Sequence, residues 1–184
     1  MIGGVNESRR YDTDVRSLRC DVVVVMGVSA SGKSTVAAVL AQRLGWVHLD
    51  ADDYHPQANI DKMRAGTPLT DDDRVPWLDS MRAELDRRAA AGEPVVLSCS
   101  ALKRKYRDVL RAGPARVDFV HLRASRDVLT ARLSGRSGHF FPEDLVDSQL
   151  AALEAPDTDE AALIVDATDA AADVAARVIN AWGS

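Results

Sequence analysis

The chain of 184 residues is 46% hydrophobic, enough to bury one substantial core and leaving little room for a second domain. Its 28 acidic and 23 basic residues give a formal charge of -5, which argues against a broad nucleic-acid or anionic-membrane surface and confines any anionic ligand to a concentrated site. No apolar run approaches the roughly 18 residues of a membrane-spanning helix and residues 1–19 lack a signal-peptide pattern, so a cytoplasmic protein is expected.

In chain order, residues 1–19 are polar and aperiodic and read as a flexible leader, followed by a single domain over 20–184. Five short runs rich in Val, Leu and Ile then read as strands, at 21–26, 46–50, 94–99, 117–122 and 162–167. Helical spacing fills the gaps in KSTVAAVLAQRLG, WLDSMRAELDRRAAAG, SRDVLTARLSGR and AADVAARVINAW, with Gly45 and Gly92 as C-terminal stops. This βαβα alternation predicts a parallel sheet with helices on both faces and ligands at the C-terminal ends of its strands. Cys20 and Cys99, the two cysteines, are too few for a disulfide scaffold. They should lie toward opposite ends of neighbouring strands, roughly 15 Å or more apart, and stay unbridged.

Behind the first strand, GVSASGKST satisfies G-x-x-x-x-G-K-[ST] through Gly27, Gly32, Lys33 and Ser34. A buried strand before it and an amphipathic helix after it supply the context of a phosphate-binding P-loop. Gly27, Val28, Ser29, Ala30, Ser31, Gly32, Lys33, Ser34 and Thr35 are therefore assigned to an ATP-type nucleotide. Backbone N–H groups converge on phosphate oxygens, Lys33 brings charge to the outer phosphates, and the Ser34 hydroxyl serves Mg²⁺. Ala30 puts a methyl group where the related motif GVSGSGKS has glycine.

The second strand ends in LDADDYHP, which sets Asp50 and Asp52 on one side of the strand and Asp53 on the other. Asp50 is assigned to Mg²⁺ or its waters. Asp52 is assigned to the acceptor hydroxyl, to orient it or take its proton. His55 either hydrogen-bonds a polyol or packs beside Pro56.

At HPQANIDKMRAGTPLTDDDRVPWL (55–78), CSALKRKYRDVLR (99–111), GRSGHF (135–140) and SQLAALEAP (148–156), the chain resembles the bacterial-type gluconokinase family of small P-loop kinases. The resemblance implies transfer of phosphate from ATP to D-gluconate to give 6-phospho-D-gluconate. It also implies a P-loop NTPase fold akin to shikimate and adenylate kinases, and commonly a homodimer. With a sheet order of 2-3-1-4-5, Ser100 and Lys103 fall at the ligand end beside the central strand. Arg74 and Lys103 are candidates for the gluconate carboxylate, although Arg74 could equally form a local salt bridge at a helix start. Arg104, Lys105 and Arg107 read as the exposed face of the following helix.

Arg132 and Arg136, four residues apart near Gly135 and Gly138, resemble a nucleotide-kinase lid over about 132–145. By that resemblance Arg132 stacks on adenine and Arg136 reaches the phosphates, while His139 and Phe140 help closure. Gln149, beyond the lid, is a further candidate substrate contact. Two other functions fit the loop alone, a kinase for another small hydroxy acid such as shikimate or a non-catalytic nucleotide-binding switch. The guanine-reading N-K-x-D element of a switch is missing from the sequence, and N-I-D-K at 59–62 has the wrong order.

Overall fold

The computed structural model describes residues 20–134 and 143–182. The expected leader and, from the lid, Gly135, Arg136, Gly138, His139 and Phe140 lie outside the described residues.

Strand β1 (Val22–Met26) is wholly buried. It runs into the phosphate loop and then helix α1 (Lys33–Leu44), which Gly45 closes in the left-handed conformation at φ 68°. Strand β2 (Val47–Asp50) and a 3-10 turn over Ala51–Tyr54 follow, then α2 (Gln57–Arg64) and α3 (Asp71–Ala90). Next come β3 (Val95–Ser98), α4 (Arg104–Arg111), β4 (Val117–Arg123) and α5 (Arg126–Ser134). Helix α6 (Glu143–Ala152), strand β5 (Leu163–Asp166) and α7 (Ala171–Trp182) complete the order.

The five strands form one sheet in the order β2-β3-β1-β4-β5, and every pair is parallel. The sheet accordingly has the P-loop NTPase order expected from the sequence. Because both faces are covered, β1 is apolar at every position rather than alternating. Val22, Val24 and Met26 face a core closed by Trp77, Leu78, Met81 and Leu85 of α3 and by Leu110 of α4. Val23 and Val25 face the opposite core, with Val36, Leu40 and Leu44 of α1 and Val174 and Val178 of α7. A third cluster of Val28, Leu102, Leu129, Leu133 and Val146 seats α5 and α6 against the phosphate loop.

Helix α3 starts six residues before the tryptophan at which the sequence spacing placed it. Thr70 and Asp73 form a reciprocal capping box, and Asp71, Asp72 and Asp73 lie in the first turn. These groups complement the helix dipole strongly enough to carry the helix through Pro76, which removes one intrahelical hydrogen bond. Cys20 and Cys99 are buried free thiols, at opposite ends of paired strands because Val22 aligns with Val95. Burial foremost pushes both thiols up to about 12.

Candidate active site

The phosphate loop is built from unusual backbone angles. Gly27 has φ 146°, and a Cβ there would lie 2.8 Å from the carbonyl oxygen of Leu122. Gly32 has φ 95° and Ala30 φ 63°, so a non-glycine residue occupies the left-handed region inside the loop. Gly32 gives α1 no side-chain cap and the first turn of α1 has no acidic residue. The positive end of α1 is thus presented to an anion, as a nucleotide phosphate requires. Lys33 reaches back so that its Nζ donates to the Val28 carbonyl at 3.0 Å. Thr35 lies exposed on α1, and Ser31 is fully buried, its Oγ without a hydrogen-bond partner among the described residues.

Beside this loop, Ser34 Oγ donates to Asp50 Oδ2 at 2.9 Å. The same carboxylate oxygen accepts from Ser98 Oγ at 2.8 Å, and Asp50 Oδ1 accepts the Asp52 N–H at 3.1 Å. Burial opposes ionisation of Asp50, but the Asp52 N–H and the Ser98 and Ser34 hydroxyls outweigh it and hold the carboxyl below its usual range. An ionised Asp50 next to a hydroxyl is the hard-oxygen pairing that Mg²⁺ takes alongside phosphate oxygens, so the residues fit the ion. No group of three or more His, Cys, Asp or Glu among the described residues could hold a metal. The ion would thus depend on nucleotide oxygens for the rest of its shell. Ser98 was not singled out from the sequence; its only signal is a hydroxyl at the end of an otherwise apolar strand.

Strand alternation does not reach Asp52, because the chain leaves β2 at Asp50 and turns through the 3-10 segment. Asp52 is nonetheless in the same cleft, where it feels the charges of Asp50, His55 and Lys33. Desolvation first, then the Asp50 charge, raises its carboxyl above the ordinary value, against the pull of His55 and Lys33. The residue as a whole is exposed to solvent, which leaves its carboxyl accessible to an acceptor.

His55 stacks flat on Trp77, with ring centroids 4.4 Å apart and planes at 9°, rather than packing on Pro56 alone. Trp77 is itself fixed by its Nε1 donating to the Ala51 carbonyl at 2.7 Å. Buried Asn59 holds the ring edge through His55 Nδ1 at 3.4 Å and donates to the Asp73 carbonyl at 2.8 Å. Burial keeps His55 below its ordinary value, outweighing Asp52, which favours its charge.

Three cations gather around Tyr106 of α4. Arg74 forms no ion pair among the described residues; its Nη1 donates to the carbonyls of Leu69 at 2.6 Å and Thr70 at 3.1 Å. The Arg74 guanidinium, the Lys103 ammonium and the Lys105 ammonium lie 5.8, 5.8 and 5.9 Å from the centroid of the Tyr106 ring. Asp71 is the counter-ion of the two lysines: it accepts from Lys105 at 2.6 Å and from Lys103 at 2.9 Å, and also from the Tyr106 hydroxyl. Those bonds, Lys105 first, hold Asp71 well below the carboxylate range. Lys103 is therefore paired, a fact hidden from the sequence because Asp71 lies on another helix. Ser100 meets the phosphate loop through its backbone, with its carbonyl accepting the Gly27 N–H at 3.3 Å.

For two further residues the structure supplies neighbours that the sequence did not show. Gln149 on α6 lies against the phosphate loop, its Oε1 accepting the Ser29 N–H at 2.6 Å. Arg107 is not on an exposed helix face; it is fully buried, because its partner Glu160 reaches it from a distant part of the chain. Arg132 spans two segments, donating to the Ser31 carbonyl at 3.2 Å and the Ala30 carbonyl at 3.4 Å, and to the carbonyls of Ala167 and Thr168 after β5.

Comparison with known proteins identifies relatives of this chain. The AAA domain family model matches residues 22–156. A gluconokinase from Gluconobacter oxydans is 51% identical over 138 residues, covering 75% of this chain and 78% of the relative. Among solved structures, a gluconokinase from Sinorhizobium meliloti superposes with a TM-score of 0.79 at 44% identity, covering 88% of this chain and 90% of that one. An unliganded sugar kinase from Janibacter gives 0.81 at 47% identity, over 86% and 92%. The chain belongs to the gluconokinase family of P-loop kinases.

Proposed function

We propose that this chain transfers the γ-phosphoryl group of ATP to the 6-hydroxyl of D-gluconate. The observation that carries the reading is the meeting of two halves at one sheet edge. A phosphate loop with Ser34 on Asp50 adjoins a concentrated cationic pocket, formed by Arg74, Lys103 and Lys105 around Tyr106. Gluconate has one carboxylate and a run of hydroxyls, and such a ligand needs a cation at one end and hydrogen-bonding groups along its length.

In this reading Asp52 accepts the proton of the 6-hydroxyl as its oxygen bonds to the γ-phosphorus. The bond from that phosphorus to the β–γ bridging oxygen breaks, and ADP leaves. Lys33 and the N–H groups of the loop bind the outer phosphates. Ser34 and Asp50 would hold Mg²⁺, which when bound neutralises charge on the phosphate oxygens. Arg74 and Lys103 bind the carboxylate, with Asp71 yielding its bonds to Lys103, and His55 and Ser100 line the hydroxyl side. Arg132 supports the adenine side, and Arg136 completes the phosphate contacts. Gln149 acts from the phosphate loop, where its bond to Ser29 favours a role near the transferring group. Cytoplasmic residence and homodimerisation belong to the same reading, and sedimentation velocity checks the second.

Phosphorus NMR of a reaction with ATP, Mg²⁺ and D-gluconate tests the proposal. A new phosphomonoester coupled to the C6 protons supports it, and ATP decay to inorganic phosphate without that product contradicts it.

A further inference from the structure

The segment CSALKRKYRDVLR contains a buried ion pair that phosphate transfer itself does not use. Arg107 of α4 is 0% exposed and Glu160 4%. Arg107 Nε and Nη2 donate to the two oxygens of Glu160 at 2.5 and 2.7 Å. Its remaining Nη1 donates to three carbonyls, of Ala101 at 3.1 Å, Leu102 at 3.3 Å and Glu154 at 3.0 Å. Arg107 foremost keeps Glu160 below the usual carboxylate range.

Stability alone is a poor reason for this pair. Desolvating a guanidinium and a carboxylate costs about as much as their attraction returns, and apolar residues of similar size often serve as well or better. What the network does is join two segments that belong to different halves of the site. The carbonyls of Ala101 and Leu102 immediately precede Lys103, and Ala101 is held at φ 43°, a strained angle for alanine. Glu154 lies two residues past the end of α6, whose Gln149 accepts the Ser29 N–H of the phosphate loop. Two further bonds stitch the same seam: the Glu154 N–H donates to the Leu102 carbonyl at 2.9 Å and the Arg104 N–H to Glu154 Oε2 at 2.6 Å.

We propose that Arg107 is a positioning residue that sets the distance between the acceptor-binding loop 100–103 and the phosphate loop, by clamping that loop to the segment leaving α6. The inference rests on the gluconate-kinase reading for its catalytic consequence. The three nitrogens of one planar guanidinium hold the carboxylate and three carbonyls at once, so lysine, with the same charge on a single nitrogen, cannot reproduce the clamp.

The test compares wild type with Arg107→Lys, Arg107→Met and Glu160→Gln, each checked for folding by circular dichroism. Arg107→Lys should raise KM for gluconate about tenfold, on the order expected for loss of a charge-assisted bond, while KM for ATP stays within about twofold. Amide hydrogen exchange at residues 101–104 and 154 should accelerate in the same variant, with α1 protection unchanged. Glu160→Gln, which keeps an acceptor for the fork, should be milder than Arg107→Met. A purely structural role predicts a lower melting temperature with both KM values unchanged in the folded fraction. That outcome, or unaltered exchange at 101–104 in Arg107→Lys, overturns the proposal; if Arg107→Met does not fold, the lysine variant still decides. Wild type inactive on gluconate while the exchange response persists would indict the substrate reading rather than the clamp.

Discussion

Ser34 Oγ and Asp50 Oδ2 lie 2.9 Å apart, although sixteen positions separate the residues and they sit on different elements. The contact arises because α1 starts after the loop that leaves the C-terminal end of β1, and β2 ends at the same end of the parallel sheet, bringing a helix-start hydroxyl against a strand-end carboxylate. If this pair holds Mg²⁺, Ser34→Ala and Asp50→Asn should each reduce turnover by about 10²-fold or more, the scale of losing one electrostatic partner of the transition state. Both should also raise the Mg²⁺ concentration for half-maximal rate. A magnesium titration at saturating ATP checks this, and an unchanged midpoint in both variants removes the pair from the metal site.

Asp52 provides a prediction with opposite signs for activity and stability. Its carboxyl is raised by desolvation and then by Asp50, and the reaction needs the ionised form. Turnover should therefore be lost as pH falls through a pKa above the ordinary value of about 3.9. Asp52→Asn should lower kcat by about 10²- to 10⁴-fold with little change in KM for ATP. For stability, a raised folded pKa means the contribution is fully present below the unfolded pKa and lost as pH rises through the folded one. Ionised Asp52 thus destabilises the fold near neutrality, and Asp52→Asn should melt higher at pH 7, which differential scanning calorimetry measures.

Ala30 at φ 63° carries the cost of a left-handed L-residue, roughly 1–2 kcal/mol. Glycine relieves that strain but returns about 0.4–1 kcal/mol through unfolded-chain entropy. Ala30→Gly should accordingly stabilise by at most about 1.6 kcal/mol, while Ala30→Val should destabilise, because a β-branched side chain tolerates this region worst. Urea midpoints of the two variants should move in opposite directions.

The Arg132 guanidinium ties the carbonyls of Ala30 and Ser31 to those of Ala167 and Thr168. Arg132→Ala should raise KM for ATP about tenfold or more, in line with lost charge-assisted bonds. KM for gluconate should stay within about twofold. Steady-state kinetics varying each substrate separate the two, and a shift confined to gluconate contradicts the assignment.

Much of this site was readable from local pattern. The apolar runs, the glycine-lysine loop and the carboxylates at the end of β2 define their own surroundings within a few residues, so the strands and the loop's position follow from them, whereas the sheet order came with the family resemblance. Long-range partners left no such trace. Arg107 looks like a surface cation until Glu160 arrives 53 positions later. Lys103 looks bare until the first turn of α3 brings Asp71 beside it. Gln149 could not be assigned to the phosphate loop before α6 was seen to pack there, because the contact with Ser29 spans 120 positions. Ser98 is a single hydroxyl in an apolar strand, and only the β2–β3 register, with Asp50 opposite Ser98, reveals its purpose.

Initial rates of ADP formation with D-gluconate, shikimate and L-gulonate as acceptors, at saturating ATP and Mg²⁺, test the account most directly. A site built to pair with the acceptor's carboxylate and hydroxyls should favour gluconate in kcat/KM by at least about 10²-fold over the others. ADP formation that is independent of gluconate, or as efficient with shikimate, would contradict it.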